Sequence, residues 1–172
     1  MNRKIKWICQ TAMLTALLLV LQFVTKPLGQ IVTGSCVNAV LAISAIAAGL
    51  SSGLTVAVLS PLFAFLFGIG PQLFPLIPAI AAGNCVLVLL LNILCKDSLS
   101  TPRRIIACIA ASFCKFVTLN VLIVQVLCRL LELAEKQVAM FSTMFSWPQF
   151  FTAIIGTFIA LIIAPRIKNA IK

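Results

Sequence analysis

The sequence contains no histidine and no tyrosine, and only three of its 172 residues are acidic. Histidine and carboxylate side chains supply most general acid–base catalysis and many metal ligands, so little of either chemistry is available. The serines and cysteines have no histidine base, and no G-x-x-x-x-G-K-[ST] phosphate loop is present. We therefore predict no catalytic residue, no metal site, no cofactor and no ATP hydrolysis by this chain alone.

Charged residues of either sign are scarce as well, at 9%, whereas 62% of the residues are hydrophobic. An ordinary soluble domain is about half apolar and about a quarter charged, so this composition predicts an integral membrane protein. The net charge of +10 would suggest nucleic acid for a soluble chain, but the cations here lie between apolar runs. We predict membrane lipid as the surroundings and no nucleic-acid partner.

Cysteine is comparatively frequent, with an odd count of seven. Most of the cysteines lie within apolar runs and lack the paired spacing of a metal site. They are Cys9, Cys36, Cys85, Cys95, Cys108, Cys114 and Cys128. We interpret them as small buried hydrophobic residues rather than as redox or metal groups.

Six apolar stretches approach the length of about 20 residues that a membrane-spanning helix needs. They cover roughly 7–24, 37–50, 54–67, 76–94, 105–131 and 150–163. The motif "SSG" between the second and third predicts a tight turn. Three segments with glycine, proline or polar residues are predicted as loops or as irregular backbone that lines a cavity: "TKPLGQIVTGS", "GIGPQLFPLIP" and "KQVAMFSTMFSWPQ". The fold class is an all-α membrane protein, a compact bundle of six transmembrane helices that forms one domain over residues 1–172.

The positive charges predict the orientation of this bundle. With six spans, one side receives nine cations and the other two, the latter beside Glu132 and Glu135. The nine are Arg3, Lys4, Lys6, Lys96, Arg103, Arg104, Arg166, Lys168 and Lys172. The positive-inside rule then places both termini in the cytoplasm. If the two short central runs instead formed a hairpin that does not cross, the count would be four spans and both termini would still be in the cytoplasm. No cleavage motif follows the first run, so we interpret it as a retained helix rather than a signal peptide.

Polar side chains inside apolar runs indicate function, because they are costly at membrane depth. Lys115 lies well inside the fifth run, and with so few acids available it favours an anionic ligand or a partner protein. Arg129 follows 14 residues later, with Gln125 one turn before it, so the three are predicted to share one inward face. The apolar runs also contain amide side chains, at Asn38, Asn84, Asn92 and Asn120. Alternatively, the amides hold helices together and Arg129 extends to the outer interface.

The first apolar run carries small residues at Thr11, Ala12, Thr15 and Ala16. Lipid has no preference for small side chains, whereas a second helix can approach closely where they recur one turn apart. We therefore predict that a helix packs against this face.

These features together resemble the S component of energy-coupling factor (ECF) vitamin transporters, in a member without an assigned substrate. The resemblance covers nearly the whole chain and includes the basic N-terminus, Ala12-x-x-x-Ala16, the two short central helices and six spans in about 170 residues. It is carried by "GQIVTGSCVNAVL", "LSPLFAFLFGIGPQLFPLIPAIAAGN" and "MFSWPQFFTAIIG".

The resemblance implies a subunit of the bacterial cytoplasmic membrane that binds a micronutrient from outside. Such a subunit docks through its first helix, here Ala12 and Ala16, on a transmembrane coupling subunit driven by two ATP-binding cassette ATPases. The family's pocket lies near the outer ends of the later helices, beneath the outer loops. The resemblance and the buried polar positions together give the predicted substrate-binding residues Arg129, Gln125, Lys115, Asn84, Gln72, Trp147 and Asn38.

The composition restricts the substrate only broadly. Without tyrosine, and with Trp7 and Trp147 as the two tryptophans, an aromatic cage for a cationic ring such as thiamin is disfavoured. Cations without nearby acids favour a carboxylate, such as pantothenate or lipoate. The alternative is a small pore-forming or assembly protein without a vitamin ligand, although a pore requires a continuous polar stripe and these polar residues are scattered. A self-sufficient secondary transporter would need an internal acid or repeats, and the sequence has neither.

Overall fold

The computed structural model describes residues 2–95 and 100–170, and in these two ranges it contains helices and no strand. Wider π-helical turns extend α2 through Ser44–Ala48 and join α5 to α6 through Asn120–Leu127, and a 3₁₀ turn at Lys26–Leu28 follows α1. The α-helices are α1 (Arg3–Thr25), α2 (Gln30–Ile43), α3 (Leu50–Leu66), α4 (Leu76–Leu94), α5 (Thr101–Leu119), α6 (Cys128–Leu130), α7 (Glu135–Met144) and α8 (Trp147–Ala170).

Within the described ranges, five helical stretches are long and apolar enough to cross a membrane, and α3 is a shorter apolar helix of 17 residues. The five are Lys4–Leu28, Gln30–Ala48, Leu76–Leu94, Thr101–Leu130 and Glu135–Lys168. The predicted all-α membrane architecture is therefore confirmed. Lys96 and Lys172, two of the cations that were assigned to the cytoplasmic side, lie outside the described residues.

The predicted loop "TKPLGQIVTGS" is wrong over most of its length, because α2 begins at Gln30. Its small residues serve helix packing, and α2 and α8 form the most extensive contact in the bundle. A Cβ on Gly34 would lie 3.1 Å from the Thr152 side chain, and a Cβ on Gly156 would lie 2.6 Å from the backbone nitrogen of Ala39. Glycine therefore allows the two backbones to approach closely.

The turn between α2 and α3 lies at Gly49 rather than at the predicted "SSG". Gly49 has a φ of +93°, a conformation that glycine adopts without steric cost. Ser52 and Gly53 lie inside α3, and neighbouring helices pack so closely there that only small side chains fit. The Ser52 hydroxyl is 2.8 Å from that of Thr11 on α1, and a Cβ on Gly53 would lie 2.7 Å from Val88 on α4.

The segment "KQVAMFSTMFSWPQ" is also mostly helical, in α7 and the start of α8. Phe141 and Phe145 are buried against Leu119 and Ile123 of the α5 region, so these aromatic residues belong to the core rather than to a loop. The connection between α3 and α4 is irregular, as predicted from "GIGPQLFP".

Two buried apolar clusters hold the bundle together. The larger one joins α1, α2, α3, α4, α5 and α8, with Leu18, Leu41 and Leu87 among its fully buried side chains. The smaller one, around Leu76 and Phe141, packs the beginning of α4 against the α5 region and α7. Close van der Waals packing in these clusters therefore holds the helix ends that surround the site described next.

The small residues of α1 divide between two faces. Thr11 and Thr15 are buried. The Thr11 hydroxyl contacts that of Ser52 on α3, which shows that small residues let α1 and α3 approach closely. Ala12 and Ala16 are exposed, so no helix of this chain covers them. The predicted packing partner exists within the chain for the threonines and not for the alanines.

Candidate functional site

A cavity of about 310 Å³ lies where α1 ends and α8 begins, at the end of the bundle away from both termini. Hydrogen bonds join the segments around its mouth; for example, Lys26 Nζ donates to the Gly68 carbonyl at 2.8 Å, and Gln30 Nε2 donates to the Met144 carbonyl at 2.7 Å. Ligand pockets in proteins hold about 300–1,000 Å³, so this cavity suits a small molecule.

Most of the cavity wall is apolar. It is lined by side chains from α2, α3, α4 and α7, and by residues 69–71 and 73 of the irregular connection. Val37, Pro61, Ile77, Ile80 and Phe145 are representative. An apolar wall with a few well-placed polar groups is the usual composition of a small-molecule site, because the apolar surface gives affinity and the polar groups give orientation.

A cluster of three polar side chains, hereafter the floor, forms the deep part of the cavity: Lys115 of α5, Asn38 of α2 and Asn84 of α4. Lys115 is 3% exposed. Its Nζ donates to Asn38 Oδ1 at 2.5 Å and to Asn84 Oδ1 at 2.7 Å. The floor therefore ties three helices together around one buried amine.

The opposite ends of the two amides hold them in this orientation. Asn38 Nδ2 donates to Thr152 Oγ1 on α8, and Asn84 Nδ2 donates to the Ala57 carbonyl on α3, each at 3.3 Å. Both amide oxygens are thereby directed at Lys115. An ammonium group has three N–H donors, so two neutral acceptors leave one donor for a further partner.

No acidic side chain of the described chain balances Lys115. Glu132 and Glu135 are exposed, and Glu132 follows Lys115 by 17 residues, roughly 25 Å along a helix. Asp97 lies outside the described residues. Burying a cation among neutral groups is costly, so the floor is an environment that attracts an anion.

Gln22 of α1 contributes a second polar group to the cavity wall. The residue is 5% exposed and its Oε1 atom is buried without a hydrogen-bond partner. Leaving a buried acceptor unpaired costs free energy, about 1–3 kcal/mol. Gln22 Oε1 is therefore an unfavourable feature of the bundle, and since the atom itself is buried it does not face the cavity.

The predicted binding residues fall into two groups. Lys115, Asn38 and Asn84 come together in the floor. The other four are exposed and do not line the cavity, so their role in binding stays a prediction; they are Gln72, Gln125, Arg129 and Trp147.

The exposed residues have other neighbours. Gln72 Nε2 lies 3.4 Å from the Gly70 carbonyl, beside residues that do line the cavity. Trp147 stacks on Phe116 with ring centroids 5.5 Å apart, and Gln125 Nε2 lies 3.4 Å from Asn120 Oδ1.

The predicted inward face shared by Lys115, Gln125 and Arg129 is wrong, since Lys115 is buried and the other two are exposed. The reason is the π-helical segment Asn120–Leu127, which lies between them. Each π turn takes about one residue more than an α turn, so a face extrapolated at 3.6 residues per turn rotates away.

Among the polar residues of the wall, Gln22 was not predicted at all. Lys26, Gln30 and Gln149 lie in segments that were predicted as loops or as cavity lining, but they were not named as binding residues. Gln22 carried a usable signal, since it interrupts the first apolar run and a polar residue there is costly. Gln30 and Gln149 sit at the starts of α2 and α8, where an amide is unremarkable in sequence.

Comparison with known proteins adds one positive finding. The family model described as ECF transporter, substrate-specific component matches residues 6–168. No curated protein and no solved structure matches the chain.

Proposed function

Because the chain belongs to the substrate-specific component family of ECF transporters, we propose that it captures a small vitamin-like molecule outside the cell and delivers it to an ATPase-driven coupling module. Members of this family are substrate-binding transporter subunits and not enzymes, and they work with ECF module partners. The proposal concerns the finer points: which molecule is bound, where it is bound, and how this chain meets its module.

The proposed binding site is the cavity, and the observation that carries the proposal is the floor. Lys115 is buried there with two neutral amide acceptors and one donor to spare. A carboxylate on the substrate would supply the missing negative charge and a short charge-assisted hydrogen bond. The proposed substrates are therefore small anions such as pantothenate or lipoate.

The proposed orientation places the cavity outside and both termini in the cytoplasm of a bacterial cell. Cations are concentrated at the end of the bundle that carries the termini. In the described ranges they are Lys4, Lys6, Arg103, Arg104, Arg166 and Lys168. The positive-inside rule assigns that end to the cytoplasm, which directs the cavity toward the external substrate.

The proposed docking surface is the exposed small-residue face of α1 at Ala12 and Ala16. A flat face of small side chains lets a helix of the transmembrane coupling subunit approach closely. The two ATP-binding cassette ATPases of the module would then supply the energy, because this sequence has no phosphate loop of its own.

Uptake by whole cells tests this proposal. Cells that express the chain together with a coupling subunit and its two ATPases should accumulate radiolabelled pantothenate or lipoate. Omitting the chain, or replacing the phosphate-loop lysine of the ATPases, should remove the accumulation. Uptake that persists without the module would contradict the proposal and would favour a pore.

A further inference from the structure

A second depression, hereafter the basic groove, lies at the end of the bundle that carries the N-terminus. One wall is the beginning of α1, and the other is the turn between α2 and α3 around Gly49. A Cβ on Gly49 would have no atom within 4 Å, so this wall faces open space. The basic groove has a volume of about 940 Å³ and shares no lining residue with the cavity at the other end. It is lined by Asn2, Lys4, Lys6, Trp7, Gln10, Ala48, Gly49, Leu50 and Ser51.

The basic groove carries positive charge that no protein group balances. Lys4 and Lys6 line it beside neutral amide, hydroxyl and apolar side chains, and no acidic residue of the ranges 2–95 and 100–170 is among them. Within the same ranges, neither ammonium group makes a hydrogen bond or an ion pair. Each ammonium group therefore keeps its three N–H donors for another molecule. Two such cations at one open site favour an anion.

The level of the basic groove in the membrane restricts the kind of anion. The candidate span of α1 begins at Lys4, and the candidate span of α2 ends at Ala48. Both walls therefore lie where spans leave the hydrocarbon layer, which is the level of the lipid headgroups. Trp7 and Leu50 are exposed apolar residues of the groove, and tryptophan is enriched at this interface. A phospholipid presents its phosphate at this level and its acyl chains beside the apolar residues, whereas a free phosphate has no apolar part to contact them.

We propose that the basic groove binds the headgroup of an anionic glycerophospholipid, with the phosphate at Lys4 and Lys6 and the upper acyl chains against Trp7 and Leu50. The inference goes beyond the proposed function, since it concerns neither the transported substrate nor the coupling module. Each lysine near an anionic lipid surface contributes about fivefold in affinity, so two lysines predict a preference of roughly 25-fold over a neutral lipid.

The two tryptophans of the chain report on opposite ends of the bundle, because Trp7 lines the basic groove and Trp147 begins α8. The full-length variant Trp147→Phe keeps Trp7 as its fluorophore. It is reconstituted into phosphatidylcholine vesicles that contain increasing fractions of phosphatidylglycerol or phosphatidylcholine brominated on the acyl chains, which quench tryptophan on contact. We expect the phosphatidylglycerol to bind beside Trp7 at least tenfold more tightly than the phosphatidylcholine. In the matched variant Trp7→Phe, the two lipids should bind beside Trp147 within about twofold of each other.

Removing the two groove lysines tests whether they hold the headgroup. Lys4→Gln combined with Lys6→Gln, in the protein that keeps Trp7 alone, should reduce the preference for phosphatidylglycerol to within about threefold. Arg103→Gln combined with Arg166→Gln is the matched control. It removes the same charge from exposed positions at the same end of the bundle that do not line the basic groove. This control should keep a preference of at least about tenfold, because the headgroup is held by contact rather than by the overall charge.

Three results would overturn the inference. Equal quenching of Trp7 by the two brominated lipids would remove the lipid and leave the unpaired lysines for an acidic segment of a partner protein. Equal losses in the two double variants would show that the overall charge of this end, and not the basic groove, attracts the lipid. Relief of the quenching by millimolar inorganic phosphate would assign a soluble anion to the groove. None of these measurements uses a coupling module or a transported substrate, so their failure leaves the transport role untouched.

Discussion

Replacing Gly156 by alanine should loosen both the fold and the site, because this glycine lies where α8 touches the backbone of α2. An added Cβ would lie 2.6 Å from the Ala39 backbone nitrogen, 2.6 Å from Asn38 Cβ and 2.7 Å from the Ser35 carbonyl oxygen. Favourable contacts between such atoms lie at about 3.5–4.0 Å. None of these atoms can rotate away, so the helices must separate by about 1 Å.

The cost of this separation follows from known overpacking penalties. Extra methyl groups in packed interiors cost about 1–3 kcal/mol, and the upper end fits a clash with backbone. A loss of 3 kcal/mol lowers the ratio of folded to unfolded protein by roughly 150-fold. Moving Asn38 by 1 Å would also stretch its 2.5 Å bond to Lys115 to about 3.5 Å, beyond a normal hydrogen bond.

Thermal unfolding in detergent, together with the affinity for an anionic probe, measures both effects. Ile155→Ala is the control, because its side chain is 41% exposed on the same helix and should change stability by about 0.5 kcal/mol or less. Gly156→Ala should lower the melting temperature and weaken binding together. A variant that melts and binds like the wild type would refute the close α2–α8 contact and its role in the floor.

Three further substitutions test the floor and the turn between α2 and α3. Lys115→Gln should abolish uptake of an anionic substrate at concentrations that saturate the wild type, whereas Lys136→Gln should stay within about twofold, because Lys136 is exposed on α7 and does not line the cavity; equal losses in the uptake assay would contradict the floor as the anion site. Asn84→Ala should lower the free energy of unfolding by about 1–3 kcal/mol in detergent melts, because it removes one acceptor of Lys115; an unchanged melting curve would argue against that bond. Gly49→Ala should cost about 1–2 kcal/mol in the same melts, because its φ of +93° is unfavourable for a residue with a Cβ; unaltered stability would show that the turn can relax.

The parts of the fold that hydropathy controls were predictable from the sequence. Apolar runs that reach or approach the required length located the long helices of the described ranges, because only a helix satisfies its own backbone within lipid. Lys115 and the asparagines of the floor were identifiable for a related reason, since polar groups at that depth are too costly to be accidental.

The parts that depend on contacts between helices were not predictable. Gly34, Ser52 and Gly53 are residue types typical of loops, yet they lie in helices. They are small because another helix packs closely against them. The same residue types serve both purposes, and only the tertiary structure distinguishes them. The π-helical segment Asn120–Leu127 likewise has no local signature, so the faces of Gln125 and Arg129 were assigned incorrectly.

Capture by a coupling module is the decisive test of whether this chain works as a transporter subunit. The chain is expressed together with a tagged coupling subunit and its two ATPases, the module is isolated, and the amount of chain that accompanies it is measured. We expect the wild type to be captured and Ala12→Trp and Ala16→Trp to abolish capture, because a large side chain prevents close approach of a helix.

Leu17→Trp supplies the control, since Leu17 is exposed on α1 about 100–140° around the helix from the two alanines. We expect this variant to be captured like the wild type. Capture that survives both alanine substitutions would contradict the docking face, and no capture of the wild type by any compatible module would contradict the transport role.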